Sequence, residues 1–253
     1  MGLLLAVLVA LLTGLLSGGA THVRATSFVV RSDADDANAH DANPGDGLCA
    51  DGQGRCTLRT AIEEANALPG ADTITFYQAM HITVDAGVGF LPDLTEQVTI
   101  DATSMWGPVI GPSVILDGGG AIDSGLDLSA DGCQVYGHYI TDFTTVAVFV
   151  SSANNTIGGS GAGQRNVITS SFVGVWIATA AAHDNLVQNN YIGVDINGEA
   201  AEANDVGLMI NNGASDNTVG GATAALGNVI SGNACSGVSI GGQAPTATSW
   251  AAT

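Results

Sequence analysis

The chain has 253 residues, of which 35 are Gly and only 5% are aromatic, a composition suited to short strands and tight turns rather than to long amphipathic helices. Its 24 acidic residues face five Arg and no Lys, giving a net charge of −19. The resulting field repels phosphate backbones and anionic membranes, which excludes nucleic acid as a partner.

Residues Gly2 to Leu16 form an uncharged apolar run, followed by small residues and Val23-Arg24-Ala25. This reads as a secretory signal peptide over 1–25, with an apolar run of about 14 residues that is too short to span a bilayer. Once the signal is cleaved no membrane span remains, and the protein is expected to be secreted or held at the cell surface. Export into an oxidising setting bears on the four cysteines. Cys49 and Cys56 flank the flexible Asp51-Gly52-Gln53-Gly54 loop and are expected to pair.

Ser27-Phe28-Val29-Val30 reads as a first strand, and an acidic segment from Asp33 to Asp51 follows. Thr57 to Ala67 then places Leu58, Ala61, Ile62 and Ala65 on one stripe, with Thr57 able to cap the first turn and Pro69-Gly70 ending it, so a helix is expected. From there on only strands are read: Thr73–Phe76, Ile82–Val84, Val98–Asp101, Val114–Leu116, Leu126–Leu128, Val135–Ile140 and Val146–Val150. Further on come Asn166–Ile168, Val173–Ile177, Leu186–Val187, Tyr191–Val194 and Gly207–Ile210.

Asn154-Asn155-Thr156-Ile157-Gly158-Gly159 returns as Asp216-Asn217-Thr218-Val219-Gly220-Gly221, and Asn166-Val167-Ile168 returns as Asn228-Val229-Ile230, each displaced by 62 positions. Recurring apolar triplets between Gly and Asn point to a solenoid, with about three coils of about 21 residues in each repeat. Ile157, Ile168, Ile177, Ile192, Ile210, Val229 and Ile240 are the expected core. Asn155, Asn166, Asn217 and Asn228 precede strands, where they can take left-handed turns and share amide hydrogen bonds with an Asn one coil away. With such coils Cys133 and Cys235 lie about 20 Å apart, too far for a disulfide, and are expected to be two free, largely buried thiols.

The stretch Cys56-Thr57-Leu58-Arg59-Thr60-Ala61 resembles the CSLREA motif of exported bacterial proteins, whose following region is a right-handed parallel β-helix similar to that of pectin lyases. Thr60 departs from the family, which usually has Glu there, and Glu63 or Glu64 is the available substitute. The resemblance implies an all-β fold, a right-handed parallel β-helix with a short N-terminal capping helix. The cap with its motif takes 26–70, the β-helix 71–240, and an irregular tail 241–253 suggests truncation. The helix would cover the first coil, whose open strand edge would otherwise be sticky.

Chemistry is harder to find. Arg165 is the only Arg in the coiled region, with Asp184 and Asp195 as candidate acids, and this is a weak basis for a lyase. The five His stand alone, and His138 and His183 read as surface turns. Asp33, Asp35, Asp36, Asp41 and Asp46 are dense enough to suggest calcium, although the Gly and the closing Glu of a helix-loop-helix calcium loop are missing. A solvated acidic loop is the preferred reading, so no cofactor is expected. The leading functional reading is a non-catalytic adhesive or polysaccharide-binding scaffold, with polysaccharide or cell-envelope components as partners and self-association through an uncapped C-terminal coil. The alternatives are a lyase or glycoside hydrolase acting on acidic polysaccharide, or the N-terminal part of a larger surface protein.

Overall fold

Short β-branched triplets bounded by Gly, Asn and Asp cannot bury both of their faces alone, and here they stack side by side into three parallel sheets. The computed structural model describes residues 24–107, 111–241 and 249–251. The expected signal peptide falls almost wholly outside them. The eight-stranded sheet holds, in order, β1 (Ser27–Val30), β2 (Asp72–Phe76), β4 (Val98–Asp101), β7 (Gln134–Tyr136), β10 (Thr156–Ile157), β13 (Leu186–Val187), β16 (Thr218–Gly220) and β19 (Ser249–Ala251). The six-stranded sheet holds β3 (Met80–Thr83), β5 (Val114–Asp117), β8 (His138–Thr141), β11 (Val167–Thr169), β14 (Tyr191–Ile192) and β17 (Val229–Ile230). The five-stranded sheet holds β6 (Ser124–Leu128), β9 (Val146–Val150), β12 (Val173–Ala178), β15 (Val206–Asn211) and β18 (Ser236–Ile240). From β4 onward the chain visits the three sheets in strict rotation, so each layer contributes one strand to each. The fold is all-β with parallel sheets and a single α-helix among the described residues. The tail was expected to be irregular, but Ser249–Ala251 pairs in parallel with Thr218–Gly220.

Layer length differs from the expectation. Ile157 pairs in register with Val187, and Val187 with Val219. The 62-residue repeat therefore holds two layers of three strands, not three coils. The repeat skips a layer because the long loop between β10 and β11 shrinks to Gln188-Asn189-Asn190 between β13 and β14, and lengthens again between β16 and β17.

Ladders of buried asparagines tie the layers together. Asn155 Nδ2 donates to Asn185 Oδ1 at 3.0 Å, and Asn185 Nδ2 to Asn217 Oδ1 at 2.9 Å. A second ladder runs Asn166–Asn190–Asn228, with steps of 3.0 and 3.1 Å, and a third joins Asn204 to Asn233 at 3.1 Å. The same Oδ1 atoms accept backbone N–H groups from the preceding layer, as Asn185 Oδ1 does from Asn155 N at 2.8 Å. The left-handed backbone does not fall on the ladder residues themselves. Asn154, Asp184, Asn189 and Asp216, each one position earlier, carry φ of 60°, 57°, 55° and 55°. Asn185→Ala removes two donors and an acceptor at once. It is expected to cost about 3 kcal/mol in chemical denaturation, whereas a surface-turn asparagine would cost under about 0.5 kcal/mol.

Inside, Ile157, Ile168, Ile177, Ile192 and Ile210 are buried as expected, each contributing about 1.5–3 kcal/mol before entropy. Val229 and Ile240 are instead 37% and 41% exposed, because β17 and β18 end their sheets and no described strand covers them. Cys133 is buried, but Cys235, just before β18, is exposed.

The helix α1 (Leu58–Ala67) packs its buried Leu58, Ala61, Ile62 and Ala65 against β1 and β2. Its Thr57 cap accepts from Thr60 N at 3.1 Å. Cys49 and Cys56 are disulfide-bonded just before it. Both helix glutamates hold the preceding loop. Glu63 accepts from Asp41 N at 2.6 Å and pairs with His40, while Glu64, fully buried, accepts from Gly45 N at 2.6 Å and from Gly47 N. Arg59 is buried and forks onto Asp35 at 2.7 and 2.9 Å, with Gly89 and Phe90 carbonyls taking its remaining donors. One guanidinium thus joins the early acidic segment, the helix and the 85–90 loop.

Candidate functional site

The acidic segment does not assemble a cation site. Asp35 is paired with Arg59, and Asp36 with Arg55 at 2.8 and 2.9 Å, which holds the Asp36 carboxyl down at about 2. Asp41 accepts from Asn43 N and Ala50 N, and Asp46 from Leu48 N, while Asp33 is exposed and apart. No group of three or more His, Cys, Asp or Glu side chains converges as metal ligands among the described residues. The carboxylates here fold the loop by capping its backbone N–H groups.

Arg165, Asp184 and Asp195 are not brought together either. The Arg165 guanidinium lies 3.9 Å from the centre of the Tyr191 ring and donates to Asn189 Oδ1 at 2.9 Å. Asp184 pairs with the adjacent His183 at 2.8 Å. Asp195 closes its own turn by accepting from Ala200 N at 3.0 Å and Glu199 N at 2.7 Å, and those bonds lower its carboxyl from the usual range. No hydrogen bond or ion pair links the three.

His138 lies inside the fold, not on a surface turn. The expected Val135–Ile140 strand is broken at Gly137, whose φ is 76°, and the chain passes there from the eight-stranded to the six-stranded sheet. A Cβ on Gly137 would sit 2.8 Å from the Gly163 carbonyl, so only glycine fits this corner. The turn resets the alternation and points His138 inward. Its ring is edge-on to Phe76 with centroids 5.3 Å apart, and neither ring nitrogen has a partner among the described residues. Burial pushes its pKa down to about 4, so the imidazole is neutral, sealed and unsuited to proton transfer with a ligand.

Tyr139 points the other way and donates its hydroxyl to Glu202. Burial, followed by that bond, pushes the phenol up to about 12, far from the range of a catalytic base. Thr169 Oγ1 lies 3.1 Å from Thr141 Oγ1 beside it. The next residues along each of these segments, Asp142, Ser170 and Ala203, line an open groove of about 340 Å³ together with Gly120, Thr144, Phe172 and Asp205. Phe172 is 51% exposed.

Thr144, Phe172 and Asp205 of the groove lie just ahead of β9, β12 and β15, and these three strands carry a second apolar cluster, separate from the core. Val146, Val173 and Val206 form one row, and the partly exposed Phe149, Trp176 and Met209 form the next. Phe149, Trp176 and Met209 are in register across three successive layers. The first two rings meet edge to face at 5.4 Å, and Trp176 Nε1 donates to Asn211 Oδ1 at 2.9 Å, which fixes the indole. Strand alternation had not revealed this stripe, because Val146–Val150 and Val173–Ala178 are apolar throughout. Gly174 and Gly207 in line with Ala147 give the signal that was available: two residues in a row, Ala147 and Val148, belong to the core, and the strand kinks there to turn Val146 outward. A fixed aromatic row near an open polar groove can stack and hold a ligand. No protein-family model, no curated protein and no solved structure matches the chain.

Proposed function

We propose that the three sheets are the faces of a right-handed parallel β-helix similar to that of pectin lyases, exported by the 1–25 signal and closed at its early end by a CSLREA-type lid over 26–70. In this reading the protein is a non-catalytic scaffold, secreted or held at the cell surface, that binds polysaccharide. The rotation of the chain through the sheets supports the architecture, and the disulfide beside the Cys56-Thr57-Leu58-Arg59 helix start supports the lid. The observation that carries the function is the outward Phe149–Trp176–Met209 row, an apolar strip repeated at layer spacing on a surface where solvent would favour polar side chains. No helix of the described residues is long and apolar enough to cross a membrane.

Affinity electrophoresis through gels containing cell-wall glycans tests the function. The wild type is expected to be retarded by at least one of them, and the Phe149→Ala/Trp176→Ala double variant to lose at least about tenfold in affinity with its circular dichroism unchanged. Equal retardation of the variant would overturn the reading. Unsaturated, ultraviolet-absorbing products from pectin or alginate would replace it with a lyase.

A further inference from the structure

Asp142 and Asp205, both exposed, line the groove together with Phe172, and neither carboxylate has a hydrogen-bond or ion-pair partner among the described residues. Neighbouring aspartates in turns of the same edge are engaged: Asp117 accepts from Gly119 N at 2.8 Å, and Asp123 from Thr144 Oγ1 at 2.5 Å. The Asp142 carboxylate hangs over Gly120, where a Cβ would come within 3.7 Å of it. The five strands of the adjoining sheet contain no basic residue. Arg165, the only Arg beyond Arg59, is committed to Tyr191 and Asn189 on the six-stranded sheet.

We infer that this face takes a polymer of amino sugars with free ammonium groups, its pyranose rings lying on Phe149, Trp176 and Phe172 and its ammonium groups meeting Asp142 and Asp205. The inference rests on the polysaccharide-binding reading above and names the class of ligand. Charge decides the class: two unpaired carboxylates on a chain of net charge −19 attract a polycation and repel uronic-acid polymers. An ammonium over an exposed phenyl ring gains a further cation–π attraction. A basic peptide fits less well, because β9, β12 and β15 are each paired on both sides and leave no backbone edge for an extended peptide to join.

Titration calorimetry of the full chain with four probes tests this: a β-1,4-linked glucosamine hexamer, its fully N-acetylated counterpart, a galacturonate hexamer and hexalysine. The glucosamine hexamer is expected to bind at least about tenfold tighter than the other three, and more weakly as salt rises. Asp142→Asn/Asp205→Asn is expected to lose at least about tenfold of that affinity with its melting temperature unchanged, and Trp176→Ala a similar factor. Equal binding of the acetylated hexamer would overturn the ammonium inference and leave the polysaccharide reading standing. Failure of every glycan would end both. Hexalysine binding as tightly as the glucosamine hexamer, with Trp176→Ala neutral, would reduce the face to a nonspecific anionic surface and overturn the inference.

Discussion

Arg59→Ala is expected to lower the unfolding free energy by about 3–5 kcal/mol. The side chains of Arg59 and Asp35 are 3% and 1% exposed, so removing the guanidinium leaves a carboxylate buried with only Asp85 N to satisfy it, at 3.0 Å. The Gly89 and Phe90 carbonyls lose their donor in the same step. Arg59→Lys should recover little, since a point charge cannot fork onto both Asp35 oxygens and reach the two carbonyls as well. Arg59→Met/Asp35→Leu should be far less damaging than either single change, because no charge is then stranded. Urea denaturation followed by circular dichroism measures the wild type and each of these variants. A loss under about 1 kcal/mol in Arg59→Ala would mean that the pair behaves as a solvated one and that the helix and its preceding loop are held by other contacts.

His138 makes stability fall with acidity. An unfolded histidine titrates at its ordinary 6.5, and in the fold burial brings His138 down to about 4. Above pH 6.5 the ring is neutral in both states and its full contribution is present. As pH drops below 6.5 the unfolded chain takes up a proton that the folded chain refuses, and stability declines by about 1.4 kcal/mol per pH unit until about pH 4, about 3 kcal/mol in all. Asp36, lowered from 3.8 to about 2, loses its contribution only in more acid solution, so the two windows separate. His138→Leu should remove this contribution to the slope between pH 6.5 and pH 4 and lose less stability than the wild type on going from pH 7 to pH 5. Parallel curves for the two proteins across that window would show that the ring finds a partner or solvent when protonated.

Much of this was legible from residues that act locally. Thr57 and Pro69 frame a helix whatever follows, and a seven-residue separation lets Cys49 meet Cys56. Asn155, Asn166, Asn217 and Asn228 marked ladder positions, while Asn185, Asn190, Asn204 and Asn233 went unread because the chain around them repeats less closely. Layer length was misjudged for the same reason: the matched segments lie in alternate layers. His138 was misplaced by the phase change at Gly137, since unbroken alternation from the inward Val135 puts residue 138 outside. Arg165 stands alone in its region of the sequence but lies over Tyr191 in the fold, and the aromatic row sits in strands that are apolar on both faces.

The two-layer spacing of the repeat has a consequence for how such a chain grows. The physical unit is a single layer of three strands, one in each sheet, and the Asn155–Asn185–Asn217 and Asn166–Asn190–Asn228 ladders add one rung at each step from β10 to β16 and from β11 to β17. The unit copied in the sequence is a pair, with the long 158–166 loop followed by the short turn at Asn189. Asn189 reaches to both sides, donating from Nδ2 to the Gly159 carbonyl at 2.8 Å and from its backbone to the Leu226 carbonyl at 3.1 Å, so the short turn clasps the long loops above and below it. A duplication of one layer would set two like loops side by side, whereas one of the pair would preserve both the clasp and the alternation.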